Sequence, residues 1–230
     1  MVFSSGGFKY VNILITVCIL VVLAHLFYVG SIGSDDVSYI RIAQSILEPG
    51  LYQPDTHWGF RYTLLLPIAM FIRFFSITES NIFIFNLAIN ILLVSYLFIL
   101  VDKLCSIKNI KIKYDFLILL LSTSPVLVIY SSILNIDIIE SFLILFVILN
   151  LSIYINREKI SDLYVASFIA GLCLVTRETS VIYLCAIFIA FIVVSPAVKV
   201  KTYMICLAIC SFFILLETVY YFAITGDALY

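Results

Sequence analysis

Long apolar runs, separated by short polar interruptions, organise this chain from end to end. A helix needs about 20 predominantly apolar residues to cross a bilayer, and the pattern predicts spans at 10–30, 82–101, 116–134, 138–156 and 202–224. The run 163–196 is long enough for a hairpin of two short helices, 163–176 and 179–196, broken near Arg177-Glu178. An apolar stretch from Phe60 to Ser76 carries Arg61, Pro67 and Arg73 and is read as a helix resting on the membrane rather than crossing it. Before it, Ser34 or Asp35 can cap a helix whose apolar positions Val37, Ile40, Ala43 and Leu47 follow helical spacing. Glu48-Pro49-Gly50 ends that helix, and the polar and aromatic loop LYQPDTHWG follows. The expected fold is therefore all-α: a polytopic transmembrane helical bundle in one module, with outer-face juxtamembrane helices within 31–81, between the first two spans.

Composition makes lipid the solvent. The chain is 64% hydrophobic and 12% charged, with a mean hydropathy of +1.20, whereas a soluble domain is nearer half apolar and about a quarter charged. A net charge of −1 without a basic cluster excludes a nucleic-acid partner. The six cysteines form no C-x-x-C pair and read as small packing residues. The first run, Val11 to Val29, is too long for a signal peptide's apolar region and lacks a cleavage site, so it is read as a retained span.

Charge distribution then sets an orientation. With 60–76 in the outer interface, Lys9, the loop bearing Lys103, Lys108, Lys111 and Lys113, the Arg157/Lys159 turn and the Lys199/Lys201 turn all face the cytoplasm. That satisfies the positive-inside rule, with the N-terminus cytoplasmic in a plasma (inner) membrane. Arg41, Arg61, Arg73 and Arg177 fall outside or near the outer face, where a planar guanidinium suits phosphate or carboxylate.

Charges near a bilayer core usually face a cavity or a partner. Asp35-Asp36 lies at the outer mouth of the first span, and only one side chain of the pair can cap a helix. Asp137 and Glu140, three apart, share one helix face; Asp137 is equally suited to capping. Arg177-Glu178 interrupts the hairpin, either as a helix break or as a charge pair. Glu217 sits within the last span, bonded to a neighbouring helix or acting directly. His57 stands beside Trp58 in the outer loop, and His25 is a lone polar residue in the first span. Acidic clusters converging with outer arginines would suit a lipid-linked phosphate substrate: a carboxylate as general base, an arginine on the departing phosphate. No metal-ligand spacing occurs and no cofactor is implied, although Asp35 and Asp36 are ligands a divalent cation accepts.

These features, in this order, resemble the N-terminal part of GT-C-type membrane glycosyltransferases, the protein O-mannosyltransferases and lipid A aminoarabinose transferases. An acidic pair in a pattern close to D-[DE]-x-x-Y-x-x-x-A reads here Asp35-Asp36-Val37-Ser38-Tyr39-Ile40-Arg41-Ile42-Ala43. A G-x-R-Y stretch before a Pro-containing helix matches Gly59-Phe60-Arg61-Tyr62 through Pro67, a later outer aspartate matches Asp137, and T-[KR]-x matches Thr176-Arg177-Glu178. The closing YFAITGDALY is similar to the tyrosine-rich end of those membrane modules.

The resemblance implies an inverting transfer of a sugar from a polyprenyl-phosphate donor at the outer membrane face. By position it makes Asp35 the leading base, with Asp36 beside it and Asp137 assisting, and Arg61 or Arg177 the ligand of the donor phosphate. The wider substrate-binding set is Tyr39, His57, Arg61, Glu140, Arg177 and Glu178. Where aminoarabinose transferases place a Glu-Lys pair before the proline, Thr63 to Leu66 reads TLLL, which sets the donor or acceptor apart from theirs. Members are usually longer, so the expectation is a truncated product, a fragment or a minimal variant. Two other readings stand beside the enzyme: a transporter or flippase of a lipid-linked molecule, and a non-catalytic membrane subunit. The absence of an internal repeat, together with charges at the outer surface, sets it apart from the usual transporter pattern.

Overall fold

The computed structural model describes residues 5–30, 35–48, 52, 59, 61–110, 114–195 and 198–225; for residues 5–9, 35, 36, 224 and 225 it describes the backbone alone. The described residues form helices and connecting turns: α1 (Ser5–Leu26), α2 (Asp35–Ser45), α3 (Tyr62–Phe74), α4 (Glu79–Ile107), α5 (Tyr114–Thr123), α6 (Pro125–Tyr130), α7 (Ile136–Arg157), α8 (Ile160–Leu174), α9 (Ser180–Val194) and α10 (Val200–Thr225). Of these, α4, α7 and α10 are long and apolar enough to cross a membrane, and five shorter helices are also apolar.

Local chemistry explains the boundaries. Thr78 is extended, and its hydroxyl accepts from the Asn81 N–H at 3.2 Å, capping α4. Just past its other end, Asn109 adopts φ 54°, the left-handed conformation that closes many helices and that asparagine tolerates better than most residues. The predicted stretch 116–134 carries two helices. Pro125 opens α6 after Ser124, because proline has no N–H to bond backwards and clashes with the preceding turn. In the 163–196 run the break spans 175–179, between α8 and α9, and contains Arg177-Glu178.

The chain divides into two compact units. The first comprises residues 1–38 and 74–135; in it α1 packs against α4, α5 and α6. Its polar side chains turn back onto their own helices: Thr16 donates to the Asn12 carbonyl at 2.9 Å and Ser122 to the Ile118 carbonyl at 2.6 Å. Such bonds satisfy hydroxyls that an apolar setting would otherwise penalise.

The second unit comprises residues 39–73 and 136–230, with α8 packed against both α7 and α10, and α9 against α7 and α8. At Gly171 of α8, an added Cβ would lie 2.6 Å from the Phe213 ring and 2.8 Å from the Cys210 carbonyl oxygen, so glycine is what lets α8 approach α10. The helices differ in what surrounds them: half of the most apolar stretch of α7 is buried in protein, against 6% of that of α10. An apolar helix so little covered by protein presents Leu207, Phe212, Leu215 and Val219 outward, which lipid solvates and water does not.

In α2, Tyr39 and Ala43 are buried in protein, whereas Val37 and Leu47 of the predicted apolar stripe are exposed, as side chains resting on a membrane would be.

Candidate active site

Within the second unit, several of the sequence-predicted residues come together. Asp137 lies in the first turn of α7 and Glu140 three residues on, on one face, as their spacing requires. Arg177, in the α8–α9 break, donates to Asp137 Oδ1 and to Glu140 Oε2, the latter at 3.3 Å. Ser180, the first residue of α9, donates to Glu140 Oε1 at 2.5 Å. Arg177 and Ser180 are three residues apart and therefore serve the same carboxylate from consecutive turns.

The two carboxylates differ in exposure. The Glu140 side chain is 8% exposed and the Asp137 side chain 58%. Glu140 is thus a buried anion held by a guanidinium and a hydroxyl, whereas Asp137 is the acid that solvent or a ligand can reach. Burial alone would lower the Arg177 pKa, but Asp137 and Glu140 outweigh it, and the net shift is upward. Arg177 keeps its charge and compensates the buried glutamate.

A second pair lies in the same unit. Arg61, buried at the entry to α3, donates to the Tyr39 hydroxyl of α2. Tyr39 is also within electrostatic range of Arg177. Beside them the Thr63 and Thr176 hydroxyls share a hydrogen bond at 2.6 Å, and Thr176 also bonds the Leu172 carbonyl at 2.7 Å. This links α3 to the end of α8, next to Arg177.

Tyr39 thus connects the two sets, bonded to Arg61 and within electrostatic range of Arg177, which holds Asp137 and Glu140. Such an arrangement can hold an anionic leaving group at an arginine while presenting an exposed carboxylate to a neighbouring hydroxyl. Asp35 and Asp36 occupy the first turn of α2, and their side chains lie outside the described part of the structure; His57 lies outside it altogether. Glu178 sits in the break beside Arg177, within electrostatic range of Glu217. Among the described residues no group of three or more His, Cys, Asp or Glu gathers as a metal site.

Sequence reasoning gave no role to Ser180 or Thr63, and named Thr176 only as the first residue of the T-[KR]-x match. An uncharged hydroxyl in an apolar chain gives no signal of its own. Only the i, i+3 spacing of Ser180 from Arg177 hinted at a shared partner.

A helical bundle whose outward surface is apolar and whose charges are gathered at a few points is a multi-pass membrane protein. Residues 64–222 match the model of the family described as dolichyl-phosphate-mannose-protein mannosyltransferase. The chain belongs to that family and so to the GT-C type of membrane glycosyltransferases. Asp137, Glu140, Arg177 and Glu178 fall within the matched residues, while Asp35, Asp36, Tyr39, His57 and Arg61 precede them. Comparisons with curated proteins and with solved structures find no match.

Proposed function

We propose that the chain transfers a sugar, of the mannose kind, from a polyprenyl-phosphate donor to an acceptor hydroxyl or amine at the outer face of the membrane, with inversion. The family match over residues 64–222 carries this reading; the gathering of Tyr39, Arg61, Asp137 and Arg177 supports it.

In the reaction, Asp35 takes the acceptor proton, with Asp36 beside it. The acceptor attacks the anomeric carbon from the face opposite the phosphate, the bond from that carbon to the phosphate oxygen breaks, and polyprenyl phosphate departs. Arg61, turned towards the Tyr39 hydroxyl, receives the negative charge of the departing group. Arg177 holds Asp137 and Glu140 so that Asp137 borders the sugar, and a donor phosphate reaching Arg177 would compete with Asp137 for it. Stabilising charge where it develops in the transition state is the main catalytic term such a site offers.

The test is sugar transfer from a polyprenyl-phosphate-linked donor in membranes containing the wild-type chain, Asp35→Asn or Asp36→Asn. Losing a general base lowers the rate about 10²- to 10⁴-fold, and that loss is expected for Asp35→Asn. Full transfer by both variants, each inserted normally, would overturn the catalytic assignment. Movement of labelled lipid between leaflets without any transfer would point to a flippase instead.

A further inference from the structure

Glu217 is used by none of the steps above. It projects from the apolar helix α10 into a cavity of about 440 Å³ in the second unit, shared with Tyr52, Tyr62 and Tyr220. That volume falls within the range of small-molecule sites, about 300–1,000 Å³. The remaining wall, including Leu66, Val175, Phe213 and Leu216, is hydrocarbon.

The three tyrosines are fixed in different ways. The rings of Tyr62 and Tyr220 stand at 89° to one another, with centroids 6.4 Å apart. The Tyr220 hydroxyl donates to the Tyr52 carbonyl at 3.1 Å, and the Tyr52 hydroxyl to the Gly59 carbonyl at 3.3 Å. The Tyr62 hydroxyl is buried without a hydrogen-bond partner among the described residues. With two of the phenols tied to backbone carbonyls, rings line the cavity beside one carboxylate.

We propose that this cavity binds the ammonium group of a membrane lipid, with Glu217 as counter-ion, the rings of Tyr62, Tyr220 and Tyr52 as its cage, and the lipid's hydrocarbon along Leu66 and Leu216. The argument is one of complementarity. Among the described residues Glu217 has no ion-pair partner, and the charged group that acts on it electrostatically is a second carboxylate, Glu178. Two acids repel a phosphate, and beside a neutral hydroxyl a carboxyl in apolar surroundings is driven to take up a proton, so a cation is the partner that keeps it ionised. An ammonium compensates that charge and is attracted to the faces of aromatic rings. The apolar wall requires the cation to be carried by an amphiphile. The site does not rest on the glycosyl-transfer reading and stands or falls separately.

The test uses the full chain in neutral-detergent micelles containing equal amounts of phosphatidylethanolamine and phosphatidylglycerol with identical acyl chains, with retained lipid counted by native mass spectrometry. The wild-type chain is expected to retain the ethanolamine lipid about tenfold over the glycerol lipid, the discrimination a desolvated cation–π site gives. Glu217→Gln and Tyr220→Leu are expected to bring the ratio close to one. Tyr62→Phe, which keeps the ring and removes the hydroxyl, is expected to keep it. A wild-type ratio near one, or a preference for the anionic lipid, overturns the proposal even where no variant folds. A ratio unchanged in both Glu217→Gln and Tyr220→Leu overturns it as well.

Discussion

Arg177 shows how much a single residue's reading depends on its partners. In the sequence it is an outer arginine suited to phosphate; in the fold its guanidinium is engaged by Asp137 and Glu140. Removing one partner of a buried pair leaves the other charged and uncompensated, which costs about 3–5 kcal/mol. Arg177→Gln is expected to destabilise at the lower end of that range, because its side chain is 36% exposed. The check is a thermal-melting cycle in detergent: combining it with Glu140→Gln should restore part of the loss, whereas strict additivity would deny the coupling. Tyr114 gives a second residue-scale expectation, this one in the first unit. The hydrogen bond to Asp102, 2.5 Å, together with burial, pushes its phenol up to about 12. Because the folded pKa is raised above the ordinary value of about 10, the bond's contribution is complete below about pH 10 and is lost as pH rises through about 12. Asp102→Asn should bring the phenolate absorbance of Tyr114 in at lower pH, with Tyr114→Phe as the subtraction control.

At the scale of elements, helix type and approximate position were written into apolar length, whereas interruptions and faces were less so. Ser124-Pro125 stands openly in the sequence, yet a count of apolar residues runs straight through it to give a single stretch over 116–134. Which side of α2 meets protein was not legible either: Tyr39 meets Arg61, 22 positions away. The α8–α10 contact is governed by Gly171. Gly171→Ala would require the Phe213 ring and the α10 backbone to move, and overpacking of this kind costs about 1–3 kcal/mol. A lowered melting temperature for Gly171→Ala, relieved by Phe213→Leu in the same chain, is the expected result. An unchanged melting temperature would show that α10 shifts freely in its lipid-facing position.

For the whole molecule, the apolar surface decides that lipid surrounds the bundle, and the lysine pattern predicts which ends lie in the cytoplasm. Placing every lysine-bearing turn inside leads to a direct measurement. A cysteine introduced as Lys108→Cys, with the native cysteines replaced, should resist a membrane-impermeant thiol reagent in intact cells and react after permeabilisation. Labelling in intact cells would invert the map and move the proposed chemistry to the other membrane face.

What the sequence determined by itself was the solvent, the helical class, the family resemblance and the pairing of Asp137 with Glu140 on one face. Each of these is local: apolar length, composition, short motifs and a three-residue spacing are properties of neighbouring positions. Tertiary structure alone decided that Arg177 and Ser180 hold Glu140, that Arg61 turns to Tyr39, that Thr63 meets Thr176, and that Glu217 opens into a cavity of tyrosines. Those contacts join residues far apart in the chain, and no periodicity encodes them. They form where a polar group in an apolar bundle meets a partner on another helix or in a connecting turn, and packing decides which one is within reach.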